Sequence, residues 1–509
     1  MAEPTEQSRA ASGAGVIALG ELLAAAGLEA GPMAAPETTV RGLDYDSRRI
    51  EPGFVFFAFA GARTDGAAFA QQALRRGAVA VVSESAPPQD FSGPWIQARH
   101  GRRALALMAR RMYERSTAGI ALTGITGTNG KTTTSCLLDT ILRTSGHTTA
   151  LVGTIEYHVA GQGRTAVNTT PESVDTYRLL DELAASEGTH ATMEVSSHAL
   201  RLGRVWGFRF HTAVFTNLTR DHLDFHSSEE DYFDAKCELF RGQDAPPPRF
   251  AVINADDRWA GRIPVSASTE AIRFGGGTEA DLRAANIESG FEGLRFDVEW
   301  RGRAWRVASP LNGRINVENI LAAFGAGVSL GIEPEAIVEG IAARRAVPGR
   351  FERVDLGQPF LVVVDYAHTE DALARTIQVA RALSSKRVIT LFGCGGDRDR
   401  AKRPRMGETA GQLSDFVVLT SDNPRTEDPI AILNDALVGL QRTETAYKVE
   451  PDRAAGIEAA LRQARPGDVV LIAGKGHETY QVLADRTIHF DDRETAAAVL
   501  AAMGYGAKR

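Results

Sequence analysis

Cysteine is scarce in this 509-residue chain, which has three: Cys136, Cys237 and Cys394. Their number is odd and their spacing fits no metal-ligand pattern, so we expect neither a disulfide framework nor a cysteine-bound metal. Three thiols suit a reducing cytoplasm. We expect each cysteine to be a packed core residue rather than a reactive group.

Long apolar runs and an excess of positive charge are also lacking. No stretch approaches the roughly 18 apolar residues of a membrane span, and the polar N-terminus has no apolar signal segment. We therefore expect a cytoplasmic protein without a membrane span. Lys and Arg number 57 against 64 Asp and Glu, a net charge of −7. This balance argues against a nucleic-acid-binding surface, although a local basic pocket is compatible with it.

The length exceeds what one hydrophobic core supports and predicts about three domains. Predicted strands alternate with predicted helices along most of the chain, which favours an α/β fold with largely parallel sheets. We place the domains at residues 1–115, 116–346 and 347–509. The first is a small α/β unit, the second carries a phosphate loop, and the third has a Rossmann-like pattern.

The most informative stretch is a glycine-rich loop, GITGTNGKTT, at residues 124–133. Residues 118–122 predict a strand before it, and residues 134–143 predict a helix after it. Glycines let backbone N–H groups turn toward an anion, and a helix start adds partial positive charge. Lys131 is then placed to reach the terminal phosphates of a nucleotide, and the Thr132 hydroxyl to bind Mg²⁺.

The loop departs from the common phosphate-binding pattern at one position. That pattern has glycine five residues before Gly130, where this chain has Ile125. The alternative is a glycine-rich turn with a surface lysine. The strand, loop and helix nevertheless stand in the order that a phosphate site requires.

Other polar residues follow predicted strands. Residues 190–196 predict a strand with Glu194 near its carboxyl end, and Thr170-Pro171 predicts a helix start with proline at the first helical position. In the last third, polar clusters follow three further strands, at residues 395–399, 422–425 and 474–478. Because the carboxyl ends of parallel strands meet at one sheet edge, we expect these clusters to converge.

Four motifs stand in order along the chain: GTNGKTT at 127–133, MEVSSH at 193–198, DYAH at 365–368 and DNPR at 422–425. With them the chain resembles the Mur ligase family, over about residues 43–478. The resemblance implies a UDP-binding unit, a central ATPase and an amino-acid-binding unit. It also implies ADP-forming amide synthesis for bacterial peptidoglycan. It is closest to members that join meso-diaminopimelate to UDP-N-acetylmuramoyl-L-alanyl-D-glutamate.

The implied chemistry explains which residue types are needed. ATP would phosphorylate the D-glutamate side-chain carboxylate, and the diaminopimelate amine would attack the acyl phosphate. Moving a phosphoryl group between two anions requires cations, placed mainly by position and electrostatics. The resemblance implies four catalytic residues: Lys131, Glu194, His222 and Lys236. It assigns Mg²⁺ to Thr132, Glu194, His222 and Lys236, the last as a CO₂-derived carbamate (N6-carboxylysine).

The resemblance assigns the substrates to three further sets of residues. ATP is expected at Gly127, Thr128, Asn129, Gly130, Lys131, Thr132, Thr133, Asn316, Asn319, Arg350 and Asp365, with His368 as a neighbour. The UDP-sugar is expected at Tyr45, Ser47, Asn168, Thr169, Thr170, Ser196 and Arg204, with the loop at 62–64. Diaminopimelate is expected at Arg398, Asp422, Asn423, Pro424, Arg425, Gly474 and Glu478. Leu202 stands where some members have a glutamine, so it is not assigned to a substrate.

Several alternatives stay open. Lys236 lies on a predicted amphipathic helix, where its side chain could face solvent instead. His222 could be a loop residue without a catalytic role. Thr169 and Thr170 could form a turn and a helix cap. Arg425 favours diaminopimelate over lysine, because lysine has no distal carboxylate to pair with it. The alternative functions are a lysine-adding ligase, a folylpolyglutamate synthase-like ligase and a nucleotide-driven switch. We expect a monomer, with no nucleic-acid or membrane partner.

Overall fold

The protein is described from a computed structural model that covers residues 15–31, 33–59, 65–223 and 225–506. Three α/β domains follow one another, each with its own main sheet. The predicted fold class is confirmed. The predicted nucleotide-sugar loop at 62–64 lies outside the described residues. Among those residues, no helix combines the length and the apolar content needed to cross a membrane.

The first domain is built on a small parallel sheet with helices packed against it. Its strands are β1 (Ile17–Ala18), β2 (Thr39–Val40), β3 (Gly42–Asp44), β4 (Phe54–Ala58), β5 (Ala80–Ser83) and β6 (Trp95–Gln97). Its helices are α1 (Leu19–Ala25), α2 (Ala70–Arg75) and α3 (Gly101–Thr117). The parallel sheet has the order β3-β4-β5-β6, and β1 pairs with β2. Alternate residues of β4 point to opposite faces, so Phe56 and Phe57 are buried in different apolar clusters.

The second domain is built on a long mixed sheet. Its strands are β7 (Ala121–Thr126), β8 (Thr149–Val152), β9 (Glu156–Val159), β10 (Gln162–Thr165), β11 (His190–Glu194), β12 (Thr212–Phe215), β13 (Phe250–Asn254), β14 (Glu270–Gly275), β15 (Leu282–Gly290), β16 (Gly293–Trp300) and β17 (Arg303–Ser309). Its helices are α4 (Lys131–Thr144), α5 (Ser173–Ala185), α6 (Ser197–Leu202), α7 (Glu229–Arg241), α8 (Ile315–Ser329) and α9 (Pro334–Ala343).

The strand order of this sheet is β10-β9-β8-β11-β7-β12-β13-β14-β15-β16-β17. The strands from β8 to β15 in this order run parallel, and antiparallel strands extend both edges. The prediction of a mainly parallel sheet is therefore confirmed. Ile141 of α4 and Phe324 of α8 are fully buried in one apolar cluster on a face of this sheet. Their packing holds the helix that follows the phosphate loop against the strands.

Three predicted element bounds are wrong. The strand before the phosphate loop is β7, which continues to Thr126, so Ile125 is a buried core residue within a strand. Helix α4 begins at Lys131 rather than at 134. Pro171 does not open a helix, because α5 begins at Ser173. The Thr170 hydroxyl instead donates to the Glu194 carbonyl at 2.9 Å, which ties this segment to β11.

The third domain has the predicted Rossmann-like pattern. Its strands are β18 (Glu352–Arg353), β19 (Leu361–Asp365), β20 (Val388–Phe392), β21 (Phe416–Thr420), β22 (Ala446–Glu450), β23 (Val469–Ala473), β24 (Tyr480–Val482) and β25 (Thr487–His489). Its helices are α10 (Glu370–Leu383), α11 (Lys402–Leu413), α12 (Pro429–Leu440), α13 (Arg453–Gln463) and α14 (Asp492–Ala502). The main sheet has the order β18-β19-β23-β20-β21-β22, parallel except for β18, and β24 pairs with β25.

A fully buried ion pair joins α13 to α14 beneath the carboxyl edge of this sheet. The Arg453 guanidinium donates to both carboxylate oxygens of Asp492 at 2.7 Å, and neither side chain is exposed. Two further N–H groups donate to the carbonyls of Ser421 at 3.2 Å and Ala473 at 3.0 Å. One arginine thus fixes the ends of β21 and β23, where two of the predicted polar loops begin.

Replacing Arg453 with leucine should lower the free energy of unfolding by about 3–5 kcal/mol, because Asp492 would stay buried without its partner. The matched control is Arg462→Leu on the same helix, whose exposed pair with Glu458 should contribute less than about 1 kcal/mol. Urea denaturation monitored by circular dichroism measures both changes. Equal, small effects of the two substitutions would contradict this account of the buried pair.

Candidate active site

The polar loops of the second and third domains face each other across a cleft. A cavity of about 590 Å³ is lined by the phosphate loop, by the carboxyl end of β11 and by the segment after β19. A second cavity, of about 900 Å³, lies among the loops of the third domain. The two cavities share wall residues, among them His222, His368 and Arg398. They therefore form one continuous cleft.

At two positions of the phosphate loop, neighbouring side chains lie so close to the backbone that only glycine fits. Gly130 caps α4 with φ +88°, and a Cβ atom there would lie 2.3 Å from Asn319 Oδ1. A Cβ at Gly127 would lie 1.8 Å from Thr216 Oγ1. The segment after β12 also holds the loop, since Asn217 accepts hydrogen bonds from the backbone N–H groups of Thr128 and Asn129. The loop is thus shaped by its neighbours as well as by its glycines.

Two lysines meet at one carbonyl oxygen of this loop. Lys131 Nζ and Lys236 Nζ each donate to the Gly127 carbonyl at 2.9 Å. Lys236 is only 1% exposed and lies 4.2 Å from the centroid of the Tyr232 ring. The solvent-facing alternative for Lys236 is therefore wrong. Burial, reinforced by the nearby Lys131, holds the pKa of Lys236 well below its ordinary value.

Glu194 lies at the end of β11 beside the phosphate loop, and it is 1% exposed. Its carboxylate accepts hydrogen bonds from Thr132 Oγ1 at 2.9 Å, Thr154 N at 2.8 Å and Thr154 Oγ1 at 3.0 Å. Carboxylate and hydroxyl oxygens are ligands that Mg²⁺ prefers. Among the described residues, no three His, Cys, Asp or Glu side chains form a metal cluster.

His222 lies in the loop after β12, with φ +54°, and lines both cavities. Its ring nitrogen is 3.5 Å from Asp221. Burial lowers the pKa of His222 to about 4; Asp221 opposes this change, and the nearby His198, Lys131 and Lys236 reinforce it. The imidazole is therefore neutral at neutral pH, the form in which histidine binds metals.

Asn316 and Asn319 are buried on α8 behind the phosphate loop. Asn316 Nδ2 donates to the Asn312 carbonyl at 2.7 Å, and Asn319 Nδ2 donates to Asn316 Oδ1 at 2.9 Å. Both side chains line the smaller cavity. The helix therefore presents an oriented pair of amides to the space beside Gly130.

The third domain reaches the phosphate loop through Arg350. Its guanidinium donates to Thr132 Oγ1 at 3.2 Å and lies 4.8 Å from the centroid of the Tyr366 ring. Asp365, at the end of β19, accepts from the backbone N–H groups of Phe351 at 2.7 Å and Ala367 at 2.9 Å. Burial raises the pKa of Asp365, and Arg350 opposes that change. Arg350, Asp365 and His368 all line the cavity.

The residues predicted for the nucleotide sugar fall into two groups. Asn168, Thr169, Thr170, Ser196 and Arg204 line the smaller cavity, as does the omitted Leu202. Neither Thr169 nor Thr170 caps a helix, because the residue before α5 is Glu172. Tyr45 and Ser47 lie apart from this group, in the first domain. The Tyr45 hydroxyl donates to Asp175 at 2.6 Å, and Ser47 is 7% exposed.

The residues predicted for the amino acid do converge. Six of the seven line the larger cavity: Arg398, Asp422, Asn423, Arg425, Gly474 and Glu478. Pro424 does not line it, and its carbonyl accepts from the Glu427 backbone N–H at 3.1 Å. Arg425 has φ +54°, and its guanidinium donates to the Gly396 carbonyl at 2.7 Å. Asn423 Nδ2 donates to Glu478 Oε2 at 2.8 Å.

Sequence reasoning missed three polar residues of the site. Thr154 donates two hydrogen bonds to Glu194, and a single threonine after a strand gives no signal of that contact. Lys402 donates to the His368 carbonyl at 3.0 Å from the wall of the larger cavity. Lys475 is buried behind Glu478. Its position in a polar cluster after β23 was the available signal.

Known proteins are similar to this chain along nearly their whole length. A protein of Solibacter usitatus (strain Ellin6076) named UDP-N-acetylmuramoyl-L-alanyl-D-glutamate–2,6-diaminopimelate ligase is 60% identical, over 96% of this chain and 99% of that protein. One of the same name from Syntrophomonas wolfei subsp. wolfei (strain DSM 2245B / Goettingen) is 42% identical, over 93% and 96%. A solved structure of a ligase with that name is 31% identical with a TM-score of 0.69, covering 96% of this chain and 100% of the other.

The fold places a phosphate-loop domain and a Rossmann-like domain on either side of one cleft, the architecture of a nucleotide-dependent enzyme class. Three family descriptions match consecutive parts of the chain: the Mur ligase family, catalytic domain, at 39–113; the Mur ligase middle domain at 125–327; and the Mur ligase, glutamate ligase domain, at 349–476. With these matches and the 60% identity over nearly its full length, the chain belongs to the Mur ligase family and is a ligase.

The imidazole of His222 should stay neutral throughout pH 6–9 and take up a proton only near pH 4. Because an unfolded histidine titrates near 6.5, its contribution to stability is complete above that pH and is lost as the pH falls toward 4. Long-range ¹⁵N NMR of labelled histidines, assigned with His222→Gln, measures this pKa. The exposed His489 is the internal control, since its hydrogen bond to Glu494 raises its pKa. Titration of His222 at or above 6.5 would contradict the burial argument.

Proposed function

We propose that the chain is an ATP-dependent ligase that adds meso-diaminopimelate to UDP-N-acetylmuramoyl-L-alanyl-D-glutamate. The reaction would be a cytoplasmic step of peptidoglycan synthesis. The observation that carries the proposal is the continuous cleft, because the cavity at the phosphate loop and the charged cavity among the loops of the third domain share wall residues. A phosphorylated carboxylate formed in the first cavity would lie beside an amine held in the second.

In this proposal the phosphate loop and Lys131 bind the phosphates of ATP, with Asn316 and Asn319 beside them. Arg350 supports the proposal, because its guanidinium brings a positive charge from the third domain to Thr132, in addition to that of Lys131. Thr132 and Glu194 would hold Mg²⁺, with His222 as a further ligand. Bound there, Mg²⁺ would neutralise charge on the transferring phosphoryl group. The protein's own contribution is to position two anions that would otherwise repel each other.

The nucleotide substrate is proposed to lie along Asn168, Thr169, Thr170, Ser196 and Arg204. These residues support that path because they line the phosphate cavity next to Glu194. Its dipeptide would then place the D-glutamate carboxylate beside the phosphates. Tyr45 and Ser47 in the first domain are proposed to bind the uridine end of this substrate. The three domains at 1–115, 116–346 and 347–509 would accordingly bind UDP, ATP and the amino acid.

Diaminopimelate is proposed to bind in the larger cavity. Its distal stereocentre carries a carboxylate and an ammonium. Arg425 and Asn423 would bind the carboxylate, and Glu478 with the Gly474 carbonyl would bind the ammonium. Arg398 and Asp422 lie in the same wall. The amine at the other end would attack the acyl phosphate, form a tetrahedral intermediate and release phosphate. Closure of the cleft would keep water from hydrolysing the acyl phosphate.

Release of ADP by the purified protein should require ATP, Mg²⁺, the UDP-sugar dipeptide and diaminopimelate together. Lys131→Met should reduce the rate roughly 100-fold or more, because a preorganised cation is lost where charge develops. Lys386→Met, at an exposed lysine of the third domain, is the matched control and should keep full activity. A coupled assay for ADP measures the rates.

Three other results would contradict the proposal. Equal use of L-lysine would indicate a lysine-adding ligase. Use of a folate substrate would indicate a folylpolyglutamate synthase-like enzyme. ADP release without the dipeptide and the amino acid would indicate a nucleotide-driven switch.

Lys236 is proposed to carry a carbamate formed from CO₂, which would add a carboxylate for a second Mg²⁺. The support is its position: the amine is buried, and among the described residues its hydrogen bond is to the Gly127 carbonyl and not to an acid. Carbamate formation requires a neutral amine, which the lowered pKa favours.

In ¹³C-labelled bicarbonate, the wild-type protein should show a carbamate resonance that is absent from Lys236→Met. The resonance should persist at neutral and alkaline pH and disappear on acidification, as the amine becomes protonated. Lys386→Met is again the control and should keep the resonance. Electron density for an unmodified amine at Lys236, from crystals grown in bicarbonate, would contradict the proposal.

A further inference from the structure

Lys475 lies behind the wall of the larger cavity. Its side chain is 0% exposed, and its ammonium donates to Glu478 Oε2 at 2.9 Å and to Asn423 Oδ1 at 3.2 Å. The ring of Tyr480 covers it, with the centroid 5.5 Å from Nζ. Both hydrogen-bond partners line the cavity, whereas Lys475 does not. It can therefore act on a ligand only through Asn423 and Glu478.

The contacts of Lys475 fix the orientation of the Asn423 amide. Asn423 Oδ1 accepts from Lys475 and from the Val482 backbone N–H at 2.9 Å. Its Nδ2 donates to Glu478 Oε2 at 2.8 Å. Rotating the amide by half a turn would place an NH₂ group against two donors and an oxygen against a carboxylate. The ammonium thus holds the amide in one orientation.

The same contacts fix the Glu478 carboxylate. Its Oε2 accepts hydrogen bonds from both Lys475 and Asn423, and in the described part of the chain Oε1 makes no hydrogen bond. Oε1 is therefore the oxygen left for a ligand. The buried ammonium also compensates the charge of a carboxylate that is only 14% exposed. Asn423 and Glu478 are consequently held in a fixed relative position by one residue behind them.

We propose that Lys475 is a positioning residue that sets the specificity for the configuration of the amino acid's distal stereocentre. The inference rests on the proposed function, in which Asn423 with Arg425 binds the distal carboxylate and Glu478 binds the distal ammonium. A stereocentre is recognised by the relative position of the groups that bind its substituents. Inverting it would turn the distal carboxylate toward Glu478, where like charges repel. This discrimination requires that Asn423 and Glu478 do not move apart.

The test compares meso-diaminopimelate with the L,L isomer, whose distal centre is inverted. In Lys475→Met, a side chain of similar length has no charge and no donor. The ratio of kcat/KM for the two isomers should fall roughly 10-fold or more, because the charge-assisted hydrogen bonds to Glu478 and Asn423 are both lost. KM for the meso isomer should rise by a similar factor, while KM for ATP and for the UDP-sugar dipeptide should stay within about 2-fold.

Lys448→Met is the matched control. Lys448 lies on β22 of the same domain, and its pair with Glu450 at 3.4 Å is exposed, so the isomer ratio should not change. Lys475→Gln, which keeps a donor but no charge, is the second variant if the methionine variant does not fold. Circular dichroism and thermal denaturation confirm that each variant is folded.

The outcomes are distinguishable. An isomer ratio within about 2-fold of wild type in a folded variant would overturn the inference, and so would an equal loss for both isomers. If neither variant folds, Lys475 is a structural residue and the inference is also overturned. If the wild-type protein uses neither isomer, the proposed function fails instead.

Discussion

The site depends on one electrostatic constraint, the meeting of two lysine amines at the Gly127 carbonyl. Lys131 and Lys236 come from the helix after β7 and from α7, and each is 2.9 Å from that oxygen. Two positive charges so close to each other, one of them buried, are costly unless an anion joins them. Burial and the nearby Lys131 accordingly lower the pKa of Lys236. The sheet order places Glu194 at the end of the neighbouring strand. The loop, the lysines and the acid therefore form a preorganised place for negatively charged phosphate.

Part of this arrangement follows from the sequence alone. Parallel strands with polar residues at their carboxyl ends predict where a ligand binds, and the loops after β7, β11, β20, β21 and β23 lie where that rule places them. Glycines followed by a lysine at a strand-to-helix turn are typical of a phosphate site. The convergence of Arg398, Asn423 and Glu478 on one cavity could be predicted because each follows a buried strand of the same sheet.

Other features could not be predicted, for identifiable physical reasons. Ile125 interrupts the usual glycine spacing because β7 continues through it into the core, which depends on packing between distant elements. Thr170 looks like a helix cap, but its hydroxyl bonds to β11, 24 residues away. The burial of Lys236 is set by Tyr232 and the phosphate loop together, since an amphipathic helix does not by itself say which polar residue turns inward. Contacts across domains, such as Arg350 to Thr132, leave no local pattern.

The third domain illustrates how buried charge serves a site without entering it. Arg453 with Asp492 fixes the ends of β21 and β23, and Lys475 with Glu478 fixes the loops that begin there. Replacing both members of a buried ion pair with well-packed apolar residues is often neutral or stabilising, whereas removing only one member is costly, so stability alone does not explain these pairs. Charged pairs do what apolar packing cannot: their hydrogen bonds have direction, so they hold backbone carbonyls and amide groups in one orientation. A cavity that must distinguish small polar substituents depends on that orientation, and the buried ion pairs beneath its loops supply it.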